Sequence, residues 1–258
     1  MQKVTLVVPC FNEAKRLSIP RFTAFLAECA EVRLVFVDDG STDATPERLA
    51  ALEHAAPEQV ETLRLETNSG KAEAVRQGML RALTARTPFV GYWDADLAAP
   101  PESVRPMLEQ FELRPELNIV IGCRLRRLGA DIRRSPFRHL VGRGFATVAS
   151  LHLRLPVYDT QCGAKLFRNR TADALFREPF VTRWLFDVEL FDRFLATNGH
   201  EAALREIEEF PLPEWHDVSG STLKWSSAFQ IAREFLRLRR HYRKRVTPRS
   251  PAGDGGRF

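Results

Sequence analysis

The chain of 258 residues is 44% hydrophobic and 28% charged, as in ordinary globular proteins, and is long enough for one well-buried domain or two small ones. Its four cysteines are scattered without a CxxC pair, which argues against a zinc finger or a disulfide scaffold and predicts buried thiols. The runs 124–143 and 233–245 each carry a local charge of +6 within a net charge of +5, so the rest of the chain is acidic, unlike a uniformly basic nucleic-acid-binding protein.

The two basic runs have two interpretations. They bind an anionic surface or a phosphate group, or they are solvated faces without a partner. No apolar stretch approaches the roughly 18–20 residues that a membrane-spanning helix needs. The chain also opens directly on a strand-like run at Val4, from which we expect no signal peptide. We therefore expect a protein that is soluble or that lies on a membrane, with no nucleic acid as partner.

The first half alternates between strand and helix patterns. Apolar runs predict strands at Val4–Pro9, Val32–Val37, Thr62–Leu65, Pro88–Trp93 and Asn118–Cys123. Apolar residues at three- and four-residue spacing predict a helix from Gly70, and Ser41, Thr42 and Asp43 offer capping oxygens to another. This alternation predicts an α/β fold with a largely parallel sheet, in which ligands bind beyond the carboxyl ends of the strands.

The first two predicted strands end in polar segments. The first runs into Pro9-Cys10-Phe11-Asn12-Glu13, which contains no GxGxxG and argues against a dinucleotide-binding enzyme. The second ends at Asp38 and Asp39, whose carboxylates are suited to accept hydrogen bonds from a base N–H or from ribose hydroxyls. A polar turn and helix cap explains the residues that follow, but not two adjacent aspartates.

The fourth predicted strand ends in Trp93-Asp94-Ala95-Asp96. Asp-x-Asp at the end of an apolar strand places two hard oxygen ligands near one point, which suits Mg²⁺ or Mn²⁺ shared with a substrate diphosphate. Such a pair is common in turns, and its context beside Asp38 and Asp39 strengthens the prediction. The segment 68–71 is either a phosphate-binding helix start with Lys71 or a simple helix entry.

The second half is less regular. Segment 137–155 mixes apolar residues with arginines, and 229–246 reads as a basic amphipathic helix of the kind that lies in the headgroup region of an anionic leaflet. A core helix would explain the apolar residues but not the density of arginine. Residues 247–258 are rich in glycine and proline and predict a disordered tail.

Several segments carry a resemblance to a known family. They span roughly residues 4–225 and read, in order, VVPCFNEAKRL, VDDGSTD, NSGKAEAVRQGM, DADL, GCR, YDTQCGAKLF, WLFDVELF and GSTL. The sequence resembles the inverting GT-A nucleotide-sugar glycosyltransferases, in particular the polyprenyl-phosphate group that includes dolichyl-phosphate β-glucosyltransferases and mannosyltransferases. The resemblance implies a Rossmann-like GT-A domain over 1–228, with a nucleotide-binding half at about 1–123 and an acceptor half at about 124–228, followed by the helix at 229–246.

The resemblance also implies a site, which falls into four sets of residues. These are Pro9, Phe11, Glu13, Val37, Asp39, Lys71, Asp94, Ala95 and Asp96 for the nucleotide sugar; Asp94 and Asp96 for Mg²⁺ or Mn²⁺; Arg124 and Arg143 for the acceptor phosphate; and Asp187, Asp159 and Arg124 for catalysis. One departure concerns the family's GSKL segment, whose lysine lies near the diphosphate. Thr222 stands at that position here, next to Lys224.

The implied reaction is transfer of a hexose, with inversion, onto a polyprenyl or dolichyl phosphate by a peripheral protein at the cytoplasmic membrane face. The DTQCG and FDVEL segments favour UDP-glucose as donor, with GDP-mannose as the alternative. A phosphate acceptor is already an anion at neutral pH, so it needs no strong base. The alternative is a soluble hydroxyl acceptor on a saccharide or protein, for which Asp187 would be the first candidate base. Without the resemblance, Asp187 would be read as a helix-surface carboxylate.

Overall fold

The computed structural model describes residues 2–133, 136–216 and 226–242, with backbone only at 136–139 and 226–229. The strands in these ranges are β1 (Val4–Cys10), β2 (Val32–Asp38), β3 (Val60–Arg64), β4 (Phe89–Trp93), β5 (Ile119–Cys123), β6 (Asp131–Arg133), β7 (Ala164–Arg168), β8 (Ile207–Pro211) and β9 (Glu214–His216). The helices are α1 (Ile19–Glu28), α2 (Thr45–Ala55), α3 (Lys71–Leu83), α4 (Val104–Leu113), α5 (Pro136–Leu153), α6 (Asn169–Phe176), α7 (Phe186–Asn198), α8 (His200–Glu206) and α9 (Ser226–Tyr242).

The main sheet has the strand order β3-β2-β1-β4-β7-β5-β8. All neighbouring strands are parallel except β7, which runs antiparallel to both β4 and β5. The predicted α/β fold with a mostly parallel sheet flanked by helices is therefore confirmed. β6 and β9 form a separate parallel pair in which Ile132 lies opposite Trp215.

Helices cover both faces of the sheet, so its central strands are buried on two sides and read as continuous apolar runs. One core packs the sheet against α1, α2 and α4. The other packs it against α3 and α5 to α9. All four cysteines are free and buried, as predicted.

The five predicted strands are all present, and the only notable shift is β3, which begins at Val60 rather than Thr62. The helix predicted from Gly70 is α3, with Ala72, Val75 and Met79 buried. Strands β7 and β8 were not predicted. The second residue of β7 is the buried Lys165, which interrupts the apolar run. β8 lies at the sheet edge, where every residue is only half-buried.

The C-terminal helix packs against the rest of the protein through its apolar face. Leu238 and Tyr242 of α9 are buried, and Ile231 and Phe235 contact the same core. Most of the apolar face expected to meet a membrane is thus already covered by protein, while Leu236 stays exposed. The rest of the predicted 229–246 helix, the tail at 247–258, Thr222 and Lys224 lie outside the described residues.

Among the residues that the structure describes, no helix combines the length and the apolar composition needed to cross a membrane.

Candidate active site

The predicted site residues gather at one edge of the sheet. Parallel strands β1, β2, β4 and β5 end at this edge, which explains why the segments after them meet. Because β7 is antiparallel, it begins where those strands end, and Ala164 lies opposite Trp93. The loop 159–163 therefore reaches the same edge from the second half of the chain.

Asp38 and Asp39, at the end of β2, bind the protein's own backbone. Oδ1 and Oδ2 of Asp39 accept hydrogen bonds from the N–H groups of Ser69 at 2.7 Å and Gly70 at 2.8 Å. Asp38 accepts one from the N–H of Ser41 at 2.9 Å. The N–H groups at 69–70, one candidate for phosphate binding, are thus engaged by Asp39, and the two aspartates hold the loops after β2 and before α3.

Asp94 forms an ion pair with Lys71. Nζ of Lys71 lies 2.5 Å from Oδ1 of Asp94, which joins the start of α3 to the end of β4. Desolvation disfavours the charge on Lys71, but Asp94 and Asp187 outweigh it and raise the pKa of the ammonium group. Only glycine fits at position 163, since a Cβ there would lie 1.9 Å from Oδ2 of Asp94.

Asp96 is a desolvated carboxylate next to a second one. Burial, followed by the charge of Asp94, raises the pKa of Asp96. Hard oxygen ligands of this kind fit Mg²⁺ or Mn²⁺ when a diphosphate completes the coordination. In the described ranges, no group of three or more His, Cys, Asp or Glu side chains is arranged to hold a metal ion.

Asp187 is buried rather than on the helix surface. It lies in the first turn of α7, only 5% exposed. Its Oδ1 accepts hydrogen bonds from the hydroxyl of Tyr92 and, at 2.5 Å, from Nζ of Lys165. Lys165 is itself 1% exposed and also donates to the carbonyl of Cys162 at 2.6 Å. Strand β4, strand β7 and helix α7 thus meet at a buried charged group.

Arg124 and Asp159 form a bidentate ion pair. Nε of Arg124 lies 2.6 Å from Oδ2 of Asp159, and Nη2 lies 2.7 Å from Oδ1. Burial works against the charge on Asp159, yet the guanidinium group lowers the pKa of that carboxyl. Glu209 of β8 accepts the N–H groups of Tyr158 at 2.8 Å and Asp159 at 2.7 Å, which fixes this loop to the sheet.

Arg143, on α5, approaches the same loop from another side. Its guanidinium carbon lies 3.7 Å from the ring centroid of Tyr158, and Nη1 donates to the carbonyl of Tyr158 at 3.1 Å. Arg124 and Arg143 therefore flank Tyr158 and Asp159. The structure brings the two predicted phosphate-binding arginines to one loop, although they are 19 positions apart in the sequence.

The residues predicted for the nucleoside differ in how they are presented. The ring of Phe11 is 43% exposed, beside Asn12, which has a left-handed backbone. Glu13 pairs with Arg16. The side chain of Val37 is fully buried against α3, and Val37 pairs with Pro9 of β1 and Leu63 of β3 within the sheet. The remaining predicted positions, Pro9 half-buried and Ala95 buried, lie at the ends of β1 and β4.

Four residues at this edge were missed from the sequence: Tyr92, Gly163, Lys165 and Glu209. Lys165 gave a usable signal, because a lone lysine inside the apolar run AKLF is unfavourable unless it is paired. Tyr92 reads as one more apolar residue of β4. Gly163 and Glu209 reach this edge only because β7 runs antiparallel to β4 and β8 pairs with β5, which sequence patterns do not reveal.

The family model described as "Glycosyl transferase family 2" matches residues 5–176. The chain belongs to glycosyl transferase family 2. This glycosyltransferase is 31% identical to "Dolichyl-phosphate beta-glucosyltransferase ALG5C" of Trichomonas vaginalis, over 93% of this chain and 71% of that one. It is 34% identical to the dolichyl-phosphate beta-glucosyltransferase of Drosophila melanogaster, over 87% of this chain and 71% of that one.

A solved structure shares the fold of this glycosyltransferase. Glucosyl-3-phosphoglycerate synthase from Mycobacterium tuberculosis, in complex with Mn²⁺, UDP-glucose and phosphoglyceric acid, superposes with a TM-score of 0.64 at 18% identity. The match covers 92% of this chain and 78% of the synthase. Together with the sheet topology, it confirms the GT-A fold.

Proposed function

We propose that this glycosyltransferase moves glucose from UDP-glucose, with inversion, onto a polyprenyl or dolichyl phosphate at the cytoplasmic surface of a membrane. The similarity to dolichyl-phosphate β-glucosyltransferases over 93% of the chain carries the proposal. The arrangement of the site supports it, because donor-side carboxylates and a pair of arginines lie at one edge of the sheet.

The donor site is built from the ends of β1, β2 and β4. Phe11 offers an exposed ring against which the base can stack, and Asp39 holds the loop that leads to Lys71. The diphosphate then lies at Asp94 and Asp96, where Lys71 offsets its charge. A divalent cation held by Asp94 and Asp96 would stabilise the negative charge that develops on the departing UDP.

The acceptor side centres on Arg124 and Arg143. A phosphate monoester carries about −1.5 to −2 charges at neutral pH and matches the planar fork of a guanidinium group. Asp159 occupies that fork in the structure. Asp159 accepts from Nε and Nη2 of the guanidinium group, so we assign the entering phosphate to the N–H groups of Arg124 that Asp159 does not use and to Arg143, while Asp159 keeps Arg124 oriented.

We assign Asp187 to the sugar of the donor, not to the removal of a proton from the acceptor. Its Oδ1 is already engaged by Tyr92 and Lys165. The carboxylate is held rigidly, and its other oxygen can accept a sugar hydroxyl or face the positive charge that develops at the anomeric carbon. An anionic phosphate oxygen attacks that carbon directly, so no group has to remove its proton.

Helix α5 supports the membrane part of the proposal. It exposes apolar side chains along one face, namely Leu140 (72% exposed), Val141 (40%), Val148 (50%) and Leu151 (74%). Phe145 of α5 contacts Phe235 of α9, with ring centroids 5.8 Å apart. α9 in turn exposes arginines, among them Arg233 and Arg237. An apolar stripe beside basic side chains matches an anionic leaflet.

Replacing Leu140 and Leu151 together by glutamate is expected to weaken binding to vesicles that contain anionic phospholipid by more than about tenfold, since each fully buried leucine contributes about 1.5–3 kcal/mol. Vesicle co-sedimentation measures this. Leu113→Glu is the matched control, because Leu113 is 72% exposed but belongs to α4, on the opposite face of the sheet. Equal vesicle binding by the double variant and the control would remove α5 from the membrane surface.

The proposed reaction is tested by incubating the protein with Mg²⁺ or Mn²⁺, a polyprenyl phosphate and either UDP-glucose or GDP-mannose in separate reactions, followed by mass spectrometry of the lipid products. A hexosyl phosphate lipid formed from UDP-glucose supports the proposal. Transfer from GDP-mannose alone would assign the mannosyl branch. Transfer only to a soluble hydroxyl acceptor would replace the lipid by the alternative acceptor class.

A further inference from the structure

Two buried glutamates hold the segment 181–185, which lies just before α7. Glu189 of α7 is fully buried and accepts hydrogen bonds from the N–H of Val181 at 3.1 Å and the N–H of Thr182 at 3.0 Å. The hydroxyl of Thr182 donates to it as well, at 2.9 Å. Tyr242 of α9 donates to the same carboxylate at 3.0 Å.

The second glutamate comes from the C-terminal helix. Glu234 of α9 is 3% exposed and accepts hydrogen bonds from three consecutive backbone N–H groups. The distances are 3.4 Å to Arg183, 3.1 Å to Trp184 and 2.9 Å to Leu185. Burying a carboxylate costs free energy that neutral donors offset only in part. Its effect here is to fix the backbone of this segment against α9.

Segment 181–185 contacts the loop before α3 on one side and continues into α7 on the other. Nη2 of Arg183 donates to the carbonyl of Ser69 at 3.2 Å, and a Cβ at Gly70 would lie 3.1 Å from the same guanidinium group. Ser69 and Gly70 are the residues held by Asp39. On the other side, Leu185 leads directly into the first turn of α7, where Asp187 lies.

We propose that Glu234 is a positioning residue through which the C-terminal helix aligns the donor site. Its carboxylate sets the backbone at 183–185, Arg183 then steadies the loop before Lys71, and α7 presents Asp187. The inference rests on the proposed function only in assigning Lys71 and Asp187 to the donor. It places α9 in the catalytic unit, in addition to any contact that the helix makes with a membrane.

Glu234→Gln tests this, because the amide keeps the size of the side chain but replaces one acceptor oxygen by a donor that faces N–H groups. We expect kcat for both glucosyl transfer and UDP-glucose hydrolysis to fall by about tenfold or more, the loss expected from one to two misplaced hydrogen bonds. The dissociation constant for UDP, measured by calorimetry, should rise several-fold. KM for the acceptor should change by less than about twofold, because Arg124 and Arg143 lie on other elements.

Asp192→Asn is the matched control for the loss of a buried carboxylate. Asp192 is also on α7, 8% exposed, and pairs with His152 at 2.9 Å, away from 183–185. It should leave kcat and UDP affinity unchanged. If Glu234→Gln behaves like Asp192→Asn, with normal kcat and normal UDP affinity, Glu234 is only structural and the proposal fails.

A second variant keeps the test decisive if Glu234→Gln does not fold. Arg183→Met keeps the backbone hydrogen bonds that Glu234 accepts at 183–185 and removes the contact of the guanidinium group with Ser69. It should therefore weaken UDP binding several-fold with little change in melting temperature. Unchanged UDP affinity would show that segment 183–185 does not position the loop before Lys71, and would overturn the proposal. Hydrolysis of UDP-glucose and UDP binding need no lipid, so these results stand apart from the identity of the acceptor.

Discussion

Asp96→Asn is expected to lower glucosyl transfer by at least about a hundredfold while leaving the melting temperature at neutral pH unchanged or raised. A divalent cation at the departing diphosphate supplies several kcal/mol of transition-state stabilisation, and each 1.4 kcal/mol is a factor of ten in rate. Asparagine keeps the shape of the side chain and its bond from the N–H of Ala98, seen at 3.1 Å for Asp96, but it is a poorer ligand. Steady-state kinetics and differential scanning calorimetry measure the two effects.

The stability half of this prediction follows from the pKa of Asp96. Burial and Asp94 raise that pKa in the folded protein, so ionisation of Asp96 opposes folding. The penalty is absent below the ordinary carboxyl range, grows as the pH rises towards the raised pKa and is complete above it. Asparagine removes the penalty at neutral pH. Replacing a residue that is selected for function rather than stability gives this result, a loss of activity without a loss of stability.

Two controls make the result specific. Asp173→Asn changes a half-exposed carboxylate of α6 that pairs with Arg177, and should leave transfer unchanged. Wild-type enzyme with excess chelator should lose activity and regain it with Mg²⁺ or Mn²⁺. Full activity of Asp96→Asn, or of chelated wild type, would remove the metal from the mechanism.

Arg124→Lys is expected to reduce transfer to polyprenyl phosphate by roughly tenfold or more, while UDP-glucose hydrolysis by water stays within about twofold. A charge-assisted hydrogen bond contributes about 1.5–3 kcal/mol, and an ammonium group cannot make the bidentate fork. Lysine is preferred to alanine as the first variant, because it leaves the buried Asp159 with a cation. Alanine would strand that carboxylate, and removing one partner of a buried pair costs about 3–5 kcal/mol.

Arg168→Lys controls for the loss of a half-buried guanidinium group. Arg168 stacks on Phe89 and Phe111 and donates to the carbonyl of Leu117 at 2.6 Å, at the far end of β7 from the site. It should affect stability but neither reaction. If transfer and hydrolysis fall together in Arg124→Lys, Arg124 belongs to the donor diphosphate. If neither falls, the arginine does not receive the acceptor.

The positions of the residues proposed for the donor were predictable from the sequence, because these residues follow apolar strands directly. Asp39, Asp94 and Asp96 end β2 and β4, and parallel strands bring their carboxyl ends to one edge by geometry alone. The start of α3 at Lys71 followed from helical periodicity. No tertiary contact had to be known for any of these placements.

The residues proposed for the acceptor and the sugar were predicted only from the resemblance, and Lys165 was missed. Asp159 and Lys165 arrive at the edge because β7 runs antiparallel between β4 and β5, and local patterns do not reveal strand direction. The role of Glu234 depends on α9 folding back onto α7. The amphipathic pattern of α9 is the same whether its apolar face meets a membrane or a protein core, so the sequence favoured the membrane where the structure shows mostly protein contacts.

The most direct test of the account offers two acceptors that differ only in the phosphate. The protein is incubated with UDP-glucose, Mg²⁺ or Mn²⁺ and equal amounts of a polyprenyl phosphate and the corresponding polyprenol. The lipid products are identified by mass spectrometry, and their anomeric configuration is determined by NMR. The account predicts a single product, the polyprenyl phosphate carrying one hexose in β-configuration, with the polyprenol unchanged. Glucose attached to the polyprenol, or a phosphate product in α-configuration, would contradict it.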